Sequence, residues 1–423
     1  MTTVIQSPPK SKLEKEEKTT TIETTNFEVE FVLERIRSVS GNDKVRSENI
    51  NSINVLDITG GSAFFSRVLR VTFNWNDSLI EPKSVILKIP VGMSNVIFGE
   101  NGCPEFMKEI VPRIAISAQL EDDPDSKEDH TYLETAHTRE IQFYEAFANR
   151  GNGLRLPVFY YGYEYSRKHD KGVLVMEDLS QVAKTMNILP GFNNTQIENL
   201  IDELARLVAV SWKDRSWVEP MIENPDREEF IELVKGFAKQ LRNMQPRFNA
   251  VLDRLDPLFH MNSYEQSVYK NEKYGFPAAI VHQDLWAPNI LWRVDENGDV
   301  TDDLCALIDW QGVHAGNPIE DLGRLLSLNT TSEYRRKNMD RLLKLYLAKL
   351  REYCEGECPL NEENIHVAHK MSMPYVMMFL GFGAPMYTNM PSVVRPDHKE
   401  EDLAELLDRV HAYFEDVAGA YGL

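Results

Sequence analysis

The spacing of apolar residues changes character near residue 180. Residues 27–39 carry their apolar side chains on one helical stripe and predict an amphipathic helix. "SINVLDITGGSAFFSRVLRVTFNW" (52–75) then alternates apolar and polar positions on either side of two glycines, which predicts a strand, a turn and a strand. "SVILKIP" (84–90) is a β-branched run stopped by Pro90 and predicts a third strand. The acidic "EDDPDSKEDHTYLE" (121–134) reads as a solvated loop. After it, Ile141, Tyr144 and Ala148 share one helical face, with Thr138 placed to cap that helix and Glu140 at its start. "LPVFYYGYEY" and "GVLVMEDL" predict two more strands joined by the turn "RKHDKG".

The helical period then takes over. Ile197, Leu200, Ile201, Leu204 and Val208 keep it behind Asn194-Thr195, a helix-start signal. It recurs at about 228–256, 320–328, 332–352, 361–382 and 400–419. Two strand-like runs interrupt it, "NILWRV" and "LCALIDW", on either side of the turn "DENGD"; together they predict a hairpin. No repeat of solenoid length is visible. The expected fold class is α+β in two lobes: a disordered tail over 1–25, a β-rich N-lobe with one prominent helix over 26–179, and a helical C-lobe over 180–423.

Composition changes this picture little. The 423 residues are 42% hydrophobic and 26% charged, ordinary values for a globular chain. No apolar run is long enough to span a membrane, and the first residues lack the apolar core of a secretory signal, so a cytoplasmic location is expected. A formal net charge of −20 argues against nucleic acid or an anionic membrane as partner, though not against a local phosphate site. Cys103, Cys305, Cys354 and Cys358 have no framework spacing and read as reduced thiols; "CEGEC" lacks a second pair to complete a metal site.

The candidate chemistry lies in "VHQDLWAPNILW" (281–292). Asp284 and Asn289 precede the hairpin, and Asp309 ends its second strand, so the three can meet at one mouth. Phosphoryl transfer needs such a set. One carboxylate orients the attacking hydroxyl and accepts its proton; an amide oxygen and a second carboxylate hold Mg²⁺, a hard cation that takes oxygen ligands. Any one of these residues alone would more often be a turn cap or a strand end. Upstream, Lys88 in a strand and Glu140 on a helix form the kind of pair that presents an ammonium to nucleotide phosphates. Taken singly, they read as an edge-strand lysine and a solvated glutamate. Gly60, Gly61 and Ser62 would let backbone approach a phosphate, although an ordinary turn explains the glycines as well. A nucleobase would sit against backbone near Glu177, Asp178 and Leu179, over a floor of Leu291 and Ile308 and under Ile58 and Ile86.

The order "GGS…LKIP…REIQFY…VMEDL…HQDLWAPNIL…LIDWQ" resembles the protein-kinase-like fold, and within it the CHK kinase-like group, which includes ecdysteroid-kinase-like proteins and lies near choline kinases and aminoglycoside phosphotransferases. The likeness runs over about residues 50–330. The Trp of "HQDLW", the "IDW" in place of D-F-G and the "MEDL" hinge are its specific features; Val208 stands where the group commonly has His, and the glycine turn departs from G-x-G-x-x-G. The resemblance implies an ATP- and Mg²⁺-dependent kinase of a small-molecule hydroxyl. His282 then packs beneath the catalytic loop, and Asp321 holds that loop's backbone.

A protein kinase is disfavoured, because Trp286 stands where such enzymes usually place Lys and no A-P-E motif follows Asp309. A catalytically inactive, kinase-shaped binding protein should lack a base or a metal ligand, and none is lacking here. The acceptor pocket is expected between the helical lobe and the Met- and aromatic-rich "MSMPYVMMFLGFGAPMY" (371–387), which also reads as a plain core helix. A lipophilic alcohol such as a steroid or a xenobiotic glycoside suits that stretch. The alternative is an amino-alcohol such as choline or ethanolamine, held by Trp212, Trp217 and Tyr375.

Overall fold

A computed structural model describes residues 21–59, 66–91, 131–165, 172–221, 228–388 and 390–423. Gly60, Gly61, Ser62, the turn "RKHDKG" up to Lys171, and the acidic stretch as far as residue 130 lie outside the described residues. Residues 21–25, assigned to the tail by sequence, are ordered: Thr21 pairs with Glu28 across a β-bridge, and Ile22 is buried.

The N-lobe opens with helix α1 (Val29–Ser40) and a sheet built from β1 (Ile50–Asp57), β2 (Ser66–Trp75), β3 (Ser84–Pro90), β4 (Phe159–Tyr163) and β5 (Val173–Glu177). The spatial order is β1-β2-β3-β5-β4, antiparallel throughout. On β2, Leu69, Val71, Phe73 and Trp75 alternate inward, as the strand period requires, and meet Val32, Leu33 and Ile36 of α1. β5 is apolar on both faces for a reason visible in its packing. Val173 and Val175 face the α1 side, whereas Leu174 and Met176 join the core of the rest of the molecule.

Helix α2 (Thr131–Phe147) crosses the other face of this sheet. Its start is a correction: Thr138 and Glu140 sit well inside the helix rather than at its first turn. The apolar period was hidden because buried His137 occupies the inward face, its Nε2 bonded to the Tyr163 carbonyl at 2.9 Å. Gly162 lets β4 lie directly on α2; a Cβ there would come within 2.6 Å of Ile141.

The C-lobe contains β6 (Ala183–Lys184), α3 (Asn194–Lys213), α4 (Glu228–Met244), α5 (Phe248–Leu255), α6 (Met261–Val268), β7 (Ala279–Val281), β8 (Ile290–Val294), β9 (Val300–Leu307), β10 (His314–Gly316), α7 (Glu320–Asn329), α8 (Ser332–Tyr353), α9 (Asn364–Tyr387) and α10 (Lys399–Tyr421). The α3 cap is Asn193, which exchanges bonds of 3.0 Å with Gln196 in a capping box; this is the physical content of the Asn-rich start signal. The pattern over 228–256 divides into α4 and α5, with Pro246 between them. α9 extends beyond its expected end at 382, continuing through Pro374 and Pro385 because most of its length from residue 372 onward is buried and its neighbours hold it. β8 and β9 form the expected hairpin, Ile290 opposite Leu307, and β6 adds a third strand beside β8. Among the described residues no helix is long and apolar enough to cross a membrane.

The lobes meet through stacked aromatic rings. Trp310, just past β9, lies flat on Phe143 of α2 at 3.8 Å between ring centroids. It is fully buried, with His282 packed beside it at 4.3 Å. Replacing Trp310 by Ala should remove this shared ring pair and cost about 3–5 kcal/mol of stability. Urea unfolding of the two proteins measures it; a loss below about 1 kcal/mol would mean the lobes are held together elsewhere.

Candidate functional site

A cleft of about 600 Å³ runs between the lobes, within the range of small-ligand pockets. Its walls include Lys88, Glu140, Asn289 and Asp309, with Ile58, Ile86, Leu291 and Ile308 supplying apolar surface and Glu177, Asp178 and Leu179 at the hinge. Residues separated by more than two hundred positions are thus brought to one cavity.

Lys88 is the electrostatic centre. Its ammonium lies 2.6 Å from Glu140 Oε2 and 2.5 Å from Asp309 Oδ1. Burial works against the charge, but the two carboxylates outweigh it and hold the ammonium above its ordinary pKa. The remaining oxygen of Glu140, Oε1, accepts the backbone N–H of Trp310 at 3.2 Å. Glu140 thus forms the expected pair with Lys88, rather than the solvated face it would present taken singly, and joins β3 to the end of the hairpin from inside α2.

Asp284 does not line the cleft; it adjoins it behind Asn289. Asn289 donates from Nδ2 to the Asp284 carbonyl at 2.9 Å and to Asp284 Oδ2 at 3.3 Å, which leaves the amide oxygen of Asn289 outside those bonds. The Ile308 N–H donates to the Asn289 carbonyl at 3.0 Å, tying the loop to the strand that delivers Asp309. The available donors, an amide oxygen and a carboxylate in one cleft, are hard oxygens; one or two such groups plus nucleotide phosphates make a Mg²⁺ site, so these residues fit that ion. Burial pushes the Asp284 carboxyl up to about 6; Arg324 opposes the rise and Asp309 adds to it.

The loop carrying Asp284 is held by its own backbone. Asp321, on the first turn of α7, accepts the N–H of His282 at 2.7 Å and of Gln283 at 2.9 Å. Gln283 adopts a left-handed φ of 75°, and Asp309 one of 67°, conformations that non-glycine residues adopt only when their surroundings impose them. His282 Nε2 donates to the Ile308 carbonyl at 3.0 Å, and burial lowers its pKa to about 4, so the ring is neutral. At the hinge, Asp178 is occupied by Ser84 at 2.6 Å, Arg70 at 3.0 Å and the Ser180 N–H at 3.1 Å, while the Leu179 carbonyl accepts the N–H groups of Val182 and Ala183. These bonds fix the Asp178 side chain and the Leu179 carbonyl, while Glu177, Asp178 and Leu179 still line the cleft.

Sequence reasoning missed the groups behind Asp284. Arg324 of α7 places Nη2 at 3.4 Å from Asp284 Oδ1 and 2.7 Å from the Tyr387 hydroxyl. Tyr387, at the end of α9, stacks on Trp286 at 5.0 Å. The available signal was a lone Arg among leucines in "DLGRLLSL", on a helix whose ten residues are all buried. Conversely, the aromatic trio proposed as an ammonium cage does not assemble as one. Trp217 lies against Phe147, Trp212 donates to the Ala278 carbonyl, and Tyr375 packs against Tyr264. Among the described residues no cluster of three His, Cys, Asp or Glu side chains forms a metal site, and Cys305, Cys354 and Cys358 are free thiols.

This order of sheet, paired helix, loop and hairpin defines a protein-kinase-like fold, with a β-sheet lobe over a helical one. The chain belongs to the DUF1679 family, described as "Uncharacterized oxidoreductase dhs-27", whose model matches residues 17–422. It is 26% identical over 332 residues to "Uncharacterized kinase-like protein D1044.1" of Caenorhabditis elegans, covering 74% of this chain and 84% of that protein. It is 21% identical to "Uncharacterized oxidoreductase dhs-27" of the same organism, covering 79% of this chain but only 41% of that protein. The term oxidoreductase thus belongs to a protein more than half of whose length lies outside the match. Among solved structures, a choline kinase from Cryptosporidium parvum is similar at 13% identity and a TM-score of 0.49, over 89% of this chain and 96% of that one. The GDP complex of an aminoglycoside 2'-phosphotransferase is similar at 13% identity and a TM-score of 0.45, over 90% and 97%.

Asp321→Ala should leave two buried N–H donors without acceptors and cost at least about 2 kcal/mol, with Asp321→Asn intermediate because one carbonyl oxygen remains. Urea unfolding of both variants checks this. Equal stability of the wild-type and Ala proteins would show that the loop is fixed by other contacts.

Proposed function

We propose that the protein is an ATP- and Mg²⁺-dependent phosphotransferase that phosphorylates a hydroxyl of a lipophilic alcohol, of the steroid or xenobiotic-glycoside class. The observation that carries this reading is the buried Lys88 held between Glu140 and Asp309 at the same cleft as Asn289, which is itself bonded to Asp284. In it, Lys88 meets the α- and β-phosphates, the apolar surfaces of Ile58, Ile86, Leu291 and Ile308 enclose the base, and backbone near Glu177, Asp178 and Leu179 lies along its edge. Gly60, Gly61 and Ser62 would cover the phosphates.

Asp284 orients the acceptor hydroxyl. As the oxygen–phosphorus bond forms, the hydroxyl proton passes to an Asp284 oxygen; the bond from the γ-phosphorus to ADP breaks, and its electron pair leaves with ADP. Held by Asn289 and Asp309, Mg²⁺ would offset charge on the phosphate oxygens. Asp321 and His282 keep the loop in place. A cytoplasmic location, where Mg–ATP is abundant and thiols stay reduced, accords with this reading.

Calorimetry with ATP, with and without Mg²⁺, should give tighter binding with the ion. Asp284→Asn should bind Mg–ATP nearly as the wild type does, yet phosphorylate an accepted alcohol about 10²–10⁴-fold more slowly. A near-normal kcat in that variant would overturn the role of Asp284, and an absence of Mg–ATP binding would overturn the kinase reading, leaving a kinase-shaped binding protein.

The pH profile is a separate check. Asp284 must be ionised to take the proton, and burial lifts its carboxyl to about 6. Activity should therefore fall as pH drops through about 6 and level off above it. A rate independent of pH between about 5 and 8 would remove Asp284 as the titrating base.

A further inference from the structure

Arg324 is a buried cation with most of its hydrogen-bonding capacity unused. Its side chain is 2% exposed. Only Nη2 has partners, Asp284 and Tyr387; Nε and Nη1 meet no acceptor among the described residues. The guanidinium lies 4.6 Å from the centre of the Phe379 ring, which is itself half-buried. A guanidinium carries five N–H donors, and leaving buried donors unpaired is destabilising. An apolar residue would suit this helix better, since every other position of α7 is also buried. A group retained against stability beside a reacting carboxylate points to function.

We propose that Arg324 sets the charge of the acceptor: it excludes ammonium-bearing alcohols and admits uncharged or anionic ones. This deepens the phosphotransferase reading and rests on it. An acceptor must bring its hydroxyl to Asp284, the carboxylate nearest to Arg324. The charge of Asp284 is already balanced from behind by the guanidinium at 3.4 Å, so little negative field remains to attract a second cation. An ammonium two or three bonds from the attacked hydroxyl would stand on the order of 5–10 Å from the guanidinium, with Asp284 between them. In a half-buried site such like charges cost a factor of about ten or more in affinity. Among the described residues the neighbouring aromatic rings give no compensation. Tyr387 and Trp286 are stacked on each other, and the face of Phe379, the ring that could receive a cation, is already used by Arg324. An uncharged or anionic acceptor meets no such repulsion, because the guanidinium, buried with Nε and Nη1 lacking acceptors, keeps an incompletely neutralised positive charge behind Asp284.

The test pairs uncharged alcohols with their ammonium isosteres: choline beside its carbon analogue dimethylbutanol, and an aminoglycoside beside the deaminated sugar. Each pair is offered to the full-length wild-type protein with Mg–ATP, and ADP formation is followed. The uncharged member should have a kcat/KM at least about tenfold above its ammonium partner. Arg324→Gln should bring the two members of a pair together, and Arg324→Lys, which keeps the charge, should preserve the difference. An ammonium member used as well as its partner by the wild type overturns the proposal, and so does an Arg324→Gln variant that slows both members alike with their ratio intact. If Arg324→Gln does not fold, Arg324→Met, which keeps the length of the side chain without its charge, takes its place, and a ratio left intact in it overturns the proposal. A protein that binds Mg–ATP but phosphorylates no member of any pair overturns the acceptor assignment. A protein that does not bind Mg–ATP fails at the phosphotransferase reading itself.

Discussion

One buried ammonium organises the molecule. Lys88 cannot lose its water without counter-charges, and it finds two, Glu140 and Asp309, at 2.6 and 2.5 Å. They arrive on different elements: the lysine on β3, the glutamate on α2, the aspartate just past β9. Satisfying one charge therefore fixes a strand, a helix and a hairpin relative to one another. The second oxygen of Glu140 extends the constraint to the Trp310 backbone, and the Trp310 ring then lies on Phe143 of the same helix. Electrostatics and ring stacking close the lobes at the same place, and the cleft is what remains between them.

The loop bearing Asp284 obeys a second constraint. It is short, it turns through a left-handed Gln283, and it is buried, so its N–H groups need partners. Asp321 supplies both oxygens, which makes the first turn of α7 a support for the loop. The same helix, one turn further on, presents Arg324 to the Asp284 carboxylate. A single helix thus sets both the position and the electrostatic surroundings of Asp284.

Much of this was legible in the chain. The β-rich first part, the helical second part, the hairpin after Asn289 and the capped start of α3 follow from period and turn chemistry, because these are local signals. So does the grouping of Asp284, Asn289 and Asp309, since a short hairpin leaves few ways to separate its two ends. Local signals failed where burial was unusual. His137 sits on an inward face and masks the first turns of α2; Pro374 and Pro385 lie inside a helix that packing sustains on nearly every side. Residues 21–25 looked like tail because a single buried isoleucine and a β-bridge leave almost no pattern.

By itself, then, the sequence determined the lobes, the hairpin and the meeting of Asp284 with Asn289, all properties that depend on neighbours within a few positions. Beyond the expected Lys88–Glu140 pair, which charges meet was decided only by the tertiary structure. Lys88 and Asp309 are 221 positions apart, and nothing in either segment announces the other. Arg324 reads as an oddity among leucines until α7 is placed against the Asp284 loop. Trp212, Trp217 and Tyr375, plausible as a cage in the sequence, are held by packing to separate partners. The physical reason is the same in each case. An ion pair or a ring stack is defined by distances of a few ångströms, and those distances exist only after the core has brought remote segments together.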